Sequence, residues 1–227
     1  MAGLPLHTFP RLPEAETKFK HPFTSLVCGV TQAGKTHFIL SMIRQRQRLI
    51  HPEPSRVIYS YSKYQPAFED LAEDSRVQFV KGNHYTLDPD ISTLLIIDDQ
   101  LLDSKDLAKL FTVDSHHMNC SVMFVTHNLF FQDKSYRTAV LNTQYYVLFK
   151  SPRGLSQISI LARQLYEGQR ARQKMINAYV DSTKRPYGYL LLDLHNRTPD
   201  IPRLKTDILK EEGVSFEGVR LTRCYDI

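Results

Sequence analysis

Residues 29–36 read Gly-Val-Thr-Gln-Ala-Gly-Lys-Thr, and this stretch decides the fold. It matches the pattern G-x-x-x-x-G-K-[S/T] in full, and it follows the short apolar run Thr24–Cys28. From Lys35 to about Gln47, apolar residues recur with helical spacing. Glycines let successive backbone N–H groups curl around an anion, and the positive end of a helix dipole favours negative charge at the same place. The stretch therefore predicts a phosphate-binding loop between a buried strand and a helix.

The pattern assigns a role to each part of the loop. The Lys35 ammonium is expected to reach the β- and γ-phosphates of ATP, and the Thr36 hydroxyl to bind Mg²⁺. A simple glycine turn before a core helix would not explain this lysine and this threonine together. The residues predicted to hold the nucleotide are Gly29, Val30, Thr31, Gln32, Ala33, Gly34, Lys35, Thr36 and His37.

The segment Thr93–Asp98 is the clearest strand of the chain, apolar until it reaches Asp98 and Asp99. Open α/β sheets bind ligands at the carboxyl ends of their strands, so both carboxylates are expected near the loop. We predict that Asp98 holds Mg²⁺ through water and that Asp99 orients or deprotonates the attacking water. A second acid directly after the metal ligand favours hydrolysis over transfer to a bound acceptor. The alternative is that the two acids merely cap the following turn.

Another buried strand, Cys120–Thr126, ends at His127 and Asn128. A polar side chain at this strand end can contact the γ-phosphate and the lytic water and so sense hydrolysis. Both residues are therefore candidate catalytic residues. The alternative for His127 is a purely structural role.

An arginine is also expected, because a guanidinium neutralises the charge of the transferring phosphoryl group. The chain offers Arg137, Arg153 and Arg163 after Asn128. In a ring, one of them would serve the nucleotide of the neighbouring subunit. Arg153 and Arg163 are retained as candidate catalytic residues, and each could instead form a surface ion pair.

The remaining pattern predicts an α/β fold, with a mostly parallel central sheet and helices on both faces. Further strands are predicted at 56–61, 77–80, 144–150 and 187–194, and helices at 155–166 and 170–181. Residues 1–22 contain four prolines and are predicted to be an arm. Residues 23–204 are predicted to form the P-loop ATPase domain, and residues 205–227 a tail.

Composition indicates a globular protein, since 42% of residues are hydrophobic and 23% are charged. Its apolar runs are far shorter than the ~20 residues that span a bilayer, so no membrane partner is expected. The N-terminus lacks the apolar core of a secretory signal. Cys28, Cys120 and Cys224 are widely spaced and odd in number, which favours a reducing intracellular compartment and argues against a zinc site.

The order of the motifs resembles the FtsK–HerA superfamily, and specifically the genome-packaging ATPases of poxvirus-like and adenovirus-like viruses. The segments that carry the resemblance are GVTQAGKT, LLIIDD, SVMFVTHNLF, YYVLFKSPRG with SQISILARQLYEG, and RPYGYLLLDLH. The resemblance is greatest to the version carried by Polinton/Maverick elements and adintoviruses, and it covers about Phe23 to Leu204. Two residues depart from the pattern: His127 replaces the glutamine of T-Q-N, and Asp99 replaces the usual glutamate.

The resemblance implies an ASCE-type sheet, in which the sensor strand lies between the Walker A and Walker B strands. It implies an ATP-hydrolysing motor, a homo-oligomeric ring of six subunits that moves double-stranded viral DNA into a preformed capsid. Capsid proteins are further partners implied by it. The implied location is inside the cell, in the host nucleus or a cytoplasmic virus factory, or in association with the virion.

A DNA motor grips phosphates without reading bases, and Lys or Arg with aromatic side chains on a moving loop can do so. Residues 129–137 are one candidate for this contact, and the basic helix at 170–174 is the other. Residues 150–185 contain eight Lys or Arg against two Asp or Glu, although the net charge of the chain is only +5. The alternative for the first segment is that Phe130 and Phe131 belong to the core and that Arg137 serves a neighbouring nucleotide. The alternative for the second is a solvated pair of helices.

Two other functions stay open. A small P-loop kinase has a similar length, but the Asp98–Asp99 pair favours activation of water over transfer to an acceptor. A scaffold gated by nucleotide would need no turnover, which intact Lys35, Thr36 and Asp98 argue against.

Overall fold

The computed structural model describes residues 18–98, 103–152, 154–198, 203–209 and 223–225. Within these residues, nine strands form one sheet and two short strands form a separate pair. The strands are β1 Phe19–Lys20, β2 Thr24–Cys28, β3 Ile50–His51, β4 Arg56–Tyr61, β5 Val77–Lys81, β6 Thr93–Asp98, β7 Cys120–Thr126, β8 Tyr145–Phe149, β9 Tyr189–Asp193, β10 Leu204–Thr206 and β11 Arg223–Tyr225. The helices are α1 Lys35–Arg44, α2 Arg46–Leu49, α3 Glu69–Ala72, α4 Ser104–Lys109, α5 Ser115–His117, α6 Lys134–Leu141, α7 Leu155–Leu165 and α8 Gln169–Ser182.

The large sheet has the strand order β5-β4-β6-β7-β2-β8-β9-β10-β11. Its first six strands are parallel, and each of the last three runs antiparallel to the strand before it. β2, β6 and β7 therefore end at one edge of the sheet, at Cys28, Asp98 and Thr126, which we call the carboxyl edge. β8 also ends there and β9 begins there, because Phe149 lies opposite Tyr189. The other end of these strands is the amino edge.

Helices cover both faces of the sheet. Successive side chains of a strand point to opposite faces, so an apolar central strand packs against helices on both sides. In β2, Leu26 packs into the cluster that includes α4, α6, α7 and α8, whereas Val27 packs into the cluster that includes α1 and α3. Both side chains are fully buried. Burial on both faces explains why the central strands read as continuous apolar runs. The predicted α/β class, with a mostly parallel sheet between helices, is confirmed.

The individual elements agree with their predicted positions. The strands predicted at 56–61, 77–80, 144–150 and 187–194 correspond to β4, β5, β8 and β9, and the helices predicted at 155–166 and 170–181 correspond to α7 and α8. Among the helices described, none combines the length and the apolar character that crossing a membrane requires.

The predicted arm and tail both contribute residues to the packed domain. Phe19, in the predicted arm, lies in β1, and its ring centroid is 5.1 Å from that of Phe23 and 4.7 Å from that of Tyr145. Lys205, in the predicted tail, lies in β10, where its ammonium donates to the Asp193 carboxylate at 2.8 Å. Residues on the far side of positions 22 and 204 therefore pack against the domain, and the boundaries themselves stay predictions. Residues 1–17 and 210–222 lie outside the described residues.

Candidate phosphate-binding site

Residues 29–36, which we call the glycine loop, join β2 to α1 at the carboxyl edge. Gly34 directly precedes α1 with φ of 103°, a left-handed conformation that glycine adopts at little cost. Gln32 also has a positive φ, 62°, which is uncommon for a residue with a side chain. No side chain among the described residues caps the start of α1. The backbone thus turns sharply and presents the first N–H groups of α1, which lack partners within the helix, at the carboxyl edge.

Lys35 is the first residue of α1, and its side chain lies within the curve of the glycine loop. Its Nζ donates to the carbonyl oxygens of Gly29 at 2.7 Å and Val30 at 3.0 Å, and lies 3.4 Å from Nδ1 of His127. The residue is only 8% exposed. A positive charge held beside the N–H groups of a helix start suits a polyanion such as a triphosphate.

His127 follows the end of β7 and lies at the glycine loop. Its Nδ1 lies 3.2 Å from the carbonyl oxygen of Gly29 as well as near Lys35. One ring nitrogen cannot donate and accept at once, so the tautomer selects the partner. With the proton on Nδ1 the ring donates to Gly29, and with the proton on Nε2 it accepts from Lys35. The imidazole is therefore in contact with the loop in either form.

Asn128 follows on the exposed side of the same connection. Its carbonyl oxygen accepts from the hydroxyls of Thr126 at 3.0 Å and Tyr136 at 3.1 Å. These two bonds fix the backbone where β7 leaves the sheet. They position the residue without engaging its side-chain amide.

Asp98 ends β6 and is 7% exposed. The hydroxyl of Tyr59, on the neighbouring strand β4, donates to its Oδ2 at 2.6 Å. Burial first, and then the charge of Asp98, raise the pKa of this tyrosine, so the hydroxyl keeps its proton and stays a donor. The strand β7 lies between β6 and β2, so Asp98 stands two strands from the glycine loop at the same edge.

The oxygen atoms at this edge fit Mg²⁺ rather than a softer metal. Thr36 is half-buried in the first turn of α1, and Asp98 supplies a buried carboxylate. Hydroxyl and carboxylate oxygens together with phosphate are the ligands that this ion takes. The described residues contain no cluster of three or more His, Cys, Asp or Glu side chains placed to hold a metal.

Sequence reasoning did not single out Tyr59. Its contact with Asp98 depends on the register of β4 against β6, in which Tyr59 lies opposite Ile96 and Tyr61 opposite Asp98. Periodicity within one strand does not encode that register. The available signal was a tyrosine inside a buried strand, since a buried hydroxyl needs a hydrogen-bond partner.

Cys28 directly precedes the glycine loop and is buried. Burial raises the pKa of its thiol to about 12, although the nearby Lys35 acts in the opposite direction. The thiol is therefore neutral at physiological pH and is not a nucleophile of this site.

Arg163 lies away from the glycine loop. Arg163 is exposed in the last turn of α7, roughly 12 Å along the helix from its start near the carboxyl edge. That helix carries it away from the loop of its own chain. Asp99 and Arg153 lie outside the described residues, so their roles stay predictions.

No family model matches the chain, and no curated protein matches it. Among solved structures, the N-terminal domain of zonular occludens toxin from Neisseria meningitidis is similar with a TM-score of 0.35 and 14% identity, over 59% of this chain and 79% of that chain. A likeness at this level carries no argument about function. The FtsK–HerA resemblance continues to rest on its motifs.

Proposed function

We propose that this chain is a P-loop ATPase that hydrolyses ATP with Mg²⁺ at the carboxyl edge. The observation that carries the proposal is the Lys35 ammonium, enclosed by the glycine loop at the start of α1 and within 3.4 Å of His127. A lysine placed so is next to the N–H groups that would hold a triphosphate. Its charge would stabilise the negative charge that develops on the phosphates during hydrolysis.

The other residues of the edge take complementary roles in this proposal. Thr36 and Asp98 would hold Mg²⁺, which when bound shields the phosphate charge. Tyr59 orients the Asp98 carboxylate through its 2.6 Å hydrogen bond. His127, beside Lys35, would contact the γ-phosphate, while Asp99 is proposed to activate the attacking water.

The strand order supports the finer proposal of an ASCE-type ATPase. The strand that ends at Thr126 lies between the strand before the glycine loop and the strand that ends at Asp98. This is the order that the FtsK–HerA resemblance implies. We extend the proposal to a DNA-translocating motor, a ring of this chain that packages double-stranded DNA, on the strength of that resemblance.

The segment after Asn128 is the proposed DNA contact. Its residues line a cavity of about 300 Å³ next to α6, and Phe131 is 49% exposed there. Lys134 and Arg137 supply positive charge at the same place. Cations beside an exposed aromatic ring suit a phosphate backbone that is held without base readout. Lys134→Ala is expected to lower stimulation by DNA while leaving the basal ATPase rate.

One assay tests the proposal: phosphate release with Mg²⁺ and ATP, with and without long double-stranded DNA. Lys35→Ala is expected to lower turnover by roughly 10²-fold or more. Lys109→Ala, which removes an exposed lysine at the end of α4, is the charge-matched control and should keep wild-type turnover. Asp98→Asn should lose the response to Mg²⁺.

The possible results separate the functions that the sequence left open. ATP binding without turnover under any DNA condition would contradict the ATPase and leave a nucleotide-gated scaffold. Transfer of labelled phosphate to a nucleoside would instead indicate a kinase. Turnover that does not respond to DNA would keep the ATPase but remove the motor.

A further inference from the structure

Tyr187 lies against the glycine loop, although it belongs to the segment that joins α8 to β9. A Cβ built on Gly34 would lie 3.0 Å from Cδ1 and 3.2 Å from Cβ of Tyr187. The same position would be 3.5 Å from Cε1 of Phe149, the last residue of β8. Tyr187 nevertheless remains 68% exposed. A large aromatic side chain is thus presented to solvent directly beside the loop that starts α1.

The backbone around Tyr187 is built to keep the ring there. Its φ is 60°, a left-handed conformation that a bulky residue adopts only under constraint. Any side chain at Gly188 would clash with the carbonyl oxygen of Ser182. The backbone N–H of Gly188 donates to the carbonyl oxygen of Arg185 at 3.1 Å. The Arg185 guanidinium in turn donates to both carboxylate oxygens of Asp207, at 3.0 and 2.9 Å. Strain of this kind is kept where the surroundings enforce it, and it clusters at ligand sites.

The sheet topology says which part of a nucleotide would meet this ring. Asp98 ends β6 and His127 follows β7, on one side of the glycine loop. Phe149 ends β8 and Tyr187 precedes β9, on the other side. A triphosphate whose γ-phosphate faces Asp98 has its nucleoside on the side of Tyr187. Resting on the proposed function, we infer that the ring of Tyr187 packs against the nucleobase of the bound nucleotide.

The chemistry of the contact predicts little discrimination between bases. A tyrosine ring offers an apolar π-face, and every nucleobase has one to stack on it. Stacking of this kind carries no directional hydrogen bond to the base edge. The site is therefore expected to accept nucleoside triphosphates as a class, and to prefer any of them over inorganic tripolyphosphate.

The experiment compares binding of ATP with binding of inorganic tripolyphosphate to the full chain, by calorimetry in the presence of Mg²⁺. Tyr187→Asn removes the ring but suits a left-handed backbone, and it should weaken ATP binding by roughly 5- to 100-fold. Affinity for tripolyphosphate should not change. Tyr187→Phe should bind both ligands like the wild type. Tyr64→Asn, which removes an exposed tyrosine elsewhere, is the matched control.

Each outcome decides one question. Equal losses for ATP and tripolyphosphate would show that Tyr187 only supports the loop, and would overturn the inference. Unchanged ATP binding in Tyr187→Asn would overturn it as well. If the wild type binds neither ligand, the proposed nucleotide site itself fails, which is a different result from either of these. Thermal unfolding of Tyr187→Asn, expected to match the wild type, shows that the variant is folded.

Discussion

The amino edge of the sheet gathers polar side chains just as the carboxyl edge does, but it pairs them with one another. His21, 9% exposed, places Nδ1 2.6 Å from the Ser121 hydroxyl. Its Nε2 lies 3.1 Å from the Asn119 side-chain oxygen and 2.9 Å from the Ser92 hydroxyl. These bonds tie the starts of β2, β6 and β7 together. At the carboxyl edge, by contrast, the ends of the same strands carry an exposed histidine and a loop that wraps around a lysine.

A second amino-edge group shows the same internal pairing. Asp193 accepts from Lys205 at 2.8 Å, from the Thr198 hydroxyl at 3.0 Å and from the backbone N–H of His195 at 3.0 Å. Both charged residues are 1% exposed. A polar group that is satisfied within the chain stabilises the fold. A group of N–H donors at an uncapped helix start beside an ammonium is instead suited to a ligand from outside.

The largest expected effect tests the amino edge. Lys205→Met leaves the buried Asp193 carboxylate without its cation, which should lower the free energy of unfolding by about 3–5 kcal/mol. Urea unfolding measures this loss. Lys184→Met breaks the exposed ion pair with Asp181, at 2.9 Å, and should cost less than about 1 kcal/mol. Equal costs for the two variants would mean that the buried pair is not structural.

The next effect tests the carboxyl edge. Tyr59→Phe removes the hydroxyl that orients Asp98. It should raise the Mg²⁺ concentration needed for half-maximal turnover by roughly 10- to 100-fold. Its cost in stability should stay near 1 kcal/mol, the usual value of one hydrogen bond. Tyr146→Phe, which loses a buried 2.7 Å bond to the carbonyl of Val140, is the control. An equal shift in the required Mg²⁺ concentration for both variants would exclude a positioning role for Tyr59.

A smaller effect is the pH dependence of stability set at the amino edge. Burial lowers the pKa of His21 and of His195, so the unfolded chain binds protons at these residues more readily than the folded one. Their contribution to stability is therefore present above the ordinary histidine pKa of about 6.5 and is lost as the pH falls below it. Each can contribute a slope of at most ~1.4 kcal/mol per pH unit. His21→Gln should reduce this slope between pH 5 and 7. A slope that persists in full would place the titration elsewhere.

The smallest effect compares two thiols of similar acidity at opposite edges. Burial raises the pKa of both Cys28 and Cys120 to about 12, so any difference in alkylation rate reports access rather than reactivity. Cys28 adjoins the glycine loop, and we expect it to react several-fold faster than Cys120 through local opening of that loop. Peptide mass spectrometry after iodoacetamide treatment measures both rates. Identical rates would indicate that both edges open only by global unfolding.

Local features of this molecule could be predicted from the sequence, and non-local ones could not. The glycine loop, the strand that ends at Asp98 and the strand before His127 each follow from residues next to one another in the chain. The bond from Tyr59 to Asp98 and the contact of Tyr187 with Gly34 depend instead on strand order and register. Neither property leaves a periodic trace in the sequence.

The sheet extension beyond residue 204 was missed for a similar reason. A three-residue strand such as β10 is too short to show alternation, and its place is decided by β9 and by the partner of Lys205. The role of Asp99 in activating water stays a prediction. Which of Arg153 and Arg163 would serve a neighbouring nucleotide is also undecided by the fold. They depend on where a bound nucleotide and a neighbouring subunit lie.

The pairing of β2 also determines when the site can form during synthesis. β2 carries the glycine loop, yet its neighbours in the sheet are β7 and β8, which lie far downstream in the chain. A ribosome therefore releases the loop long before the strands that hold it in place. The glycine loop cannot be held in its folded position until residues up to Phe149 have emerged, and the segment that contains Tyr187 comes later still. Such late closure of distant contacts makes folding slow and keeps apolar β2 exposed to the cell's chaperones in the meantime.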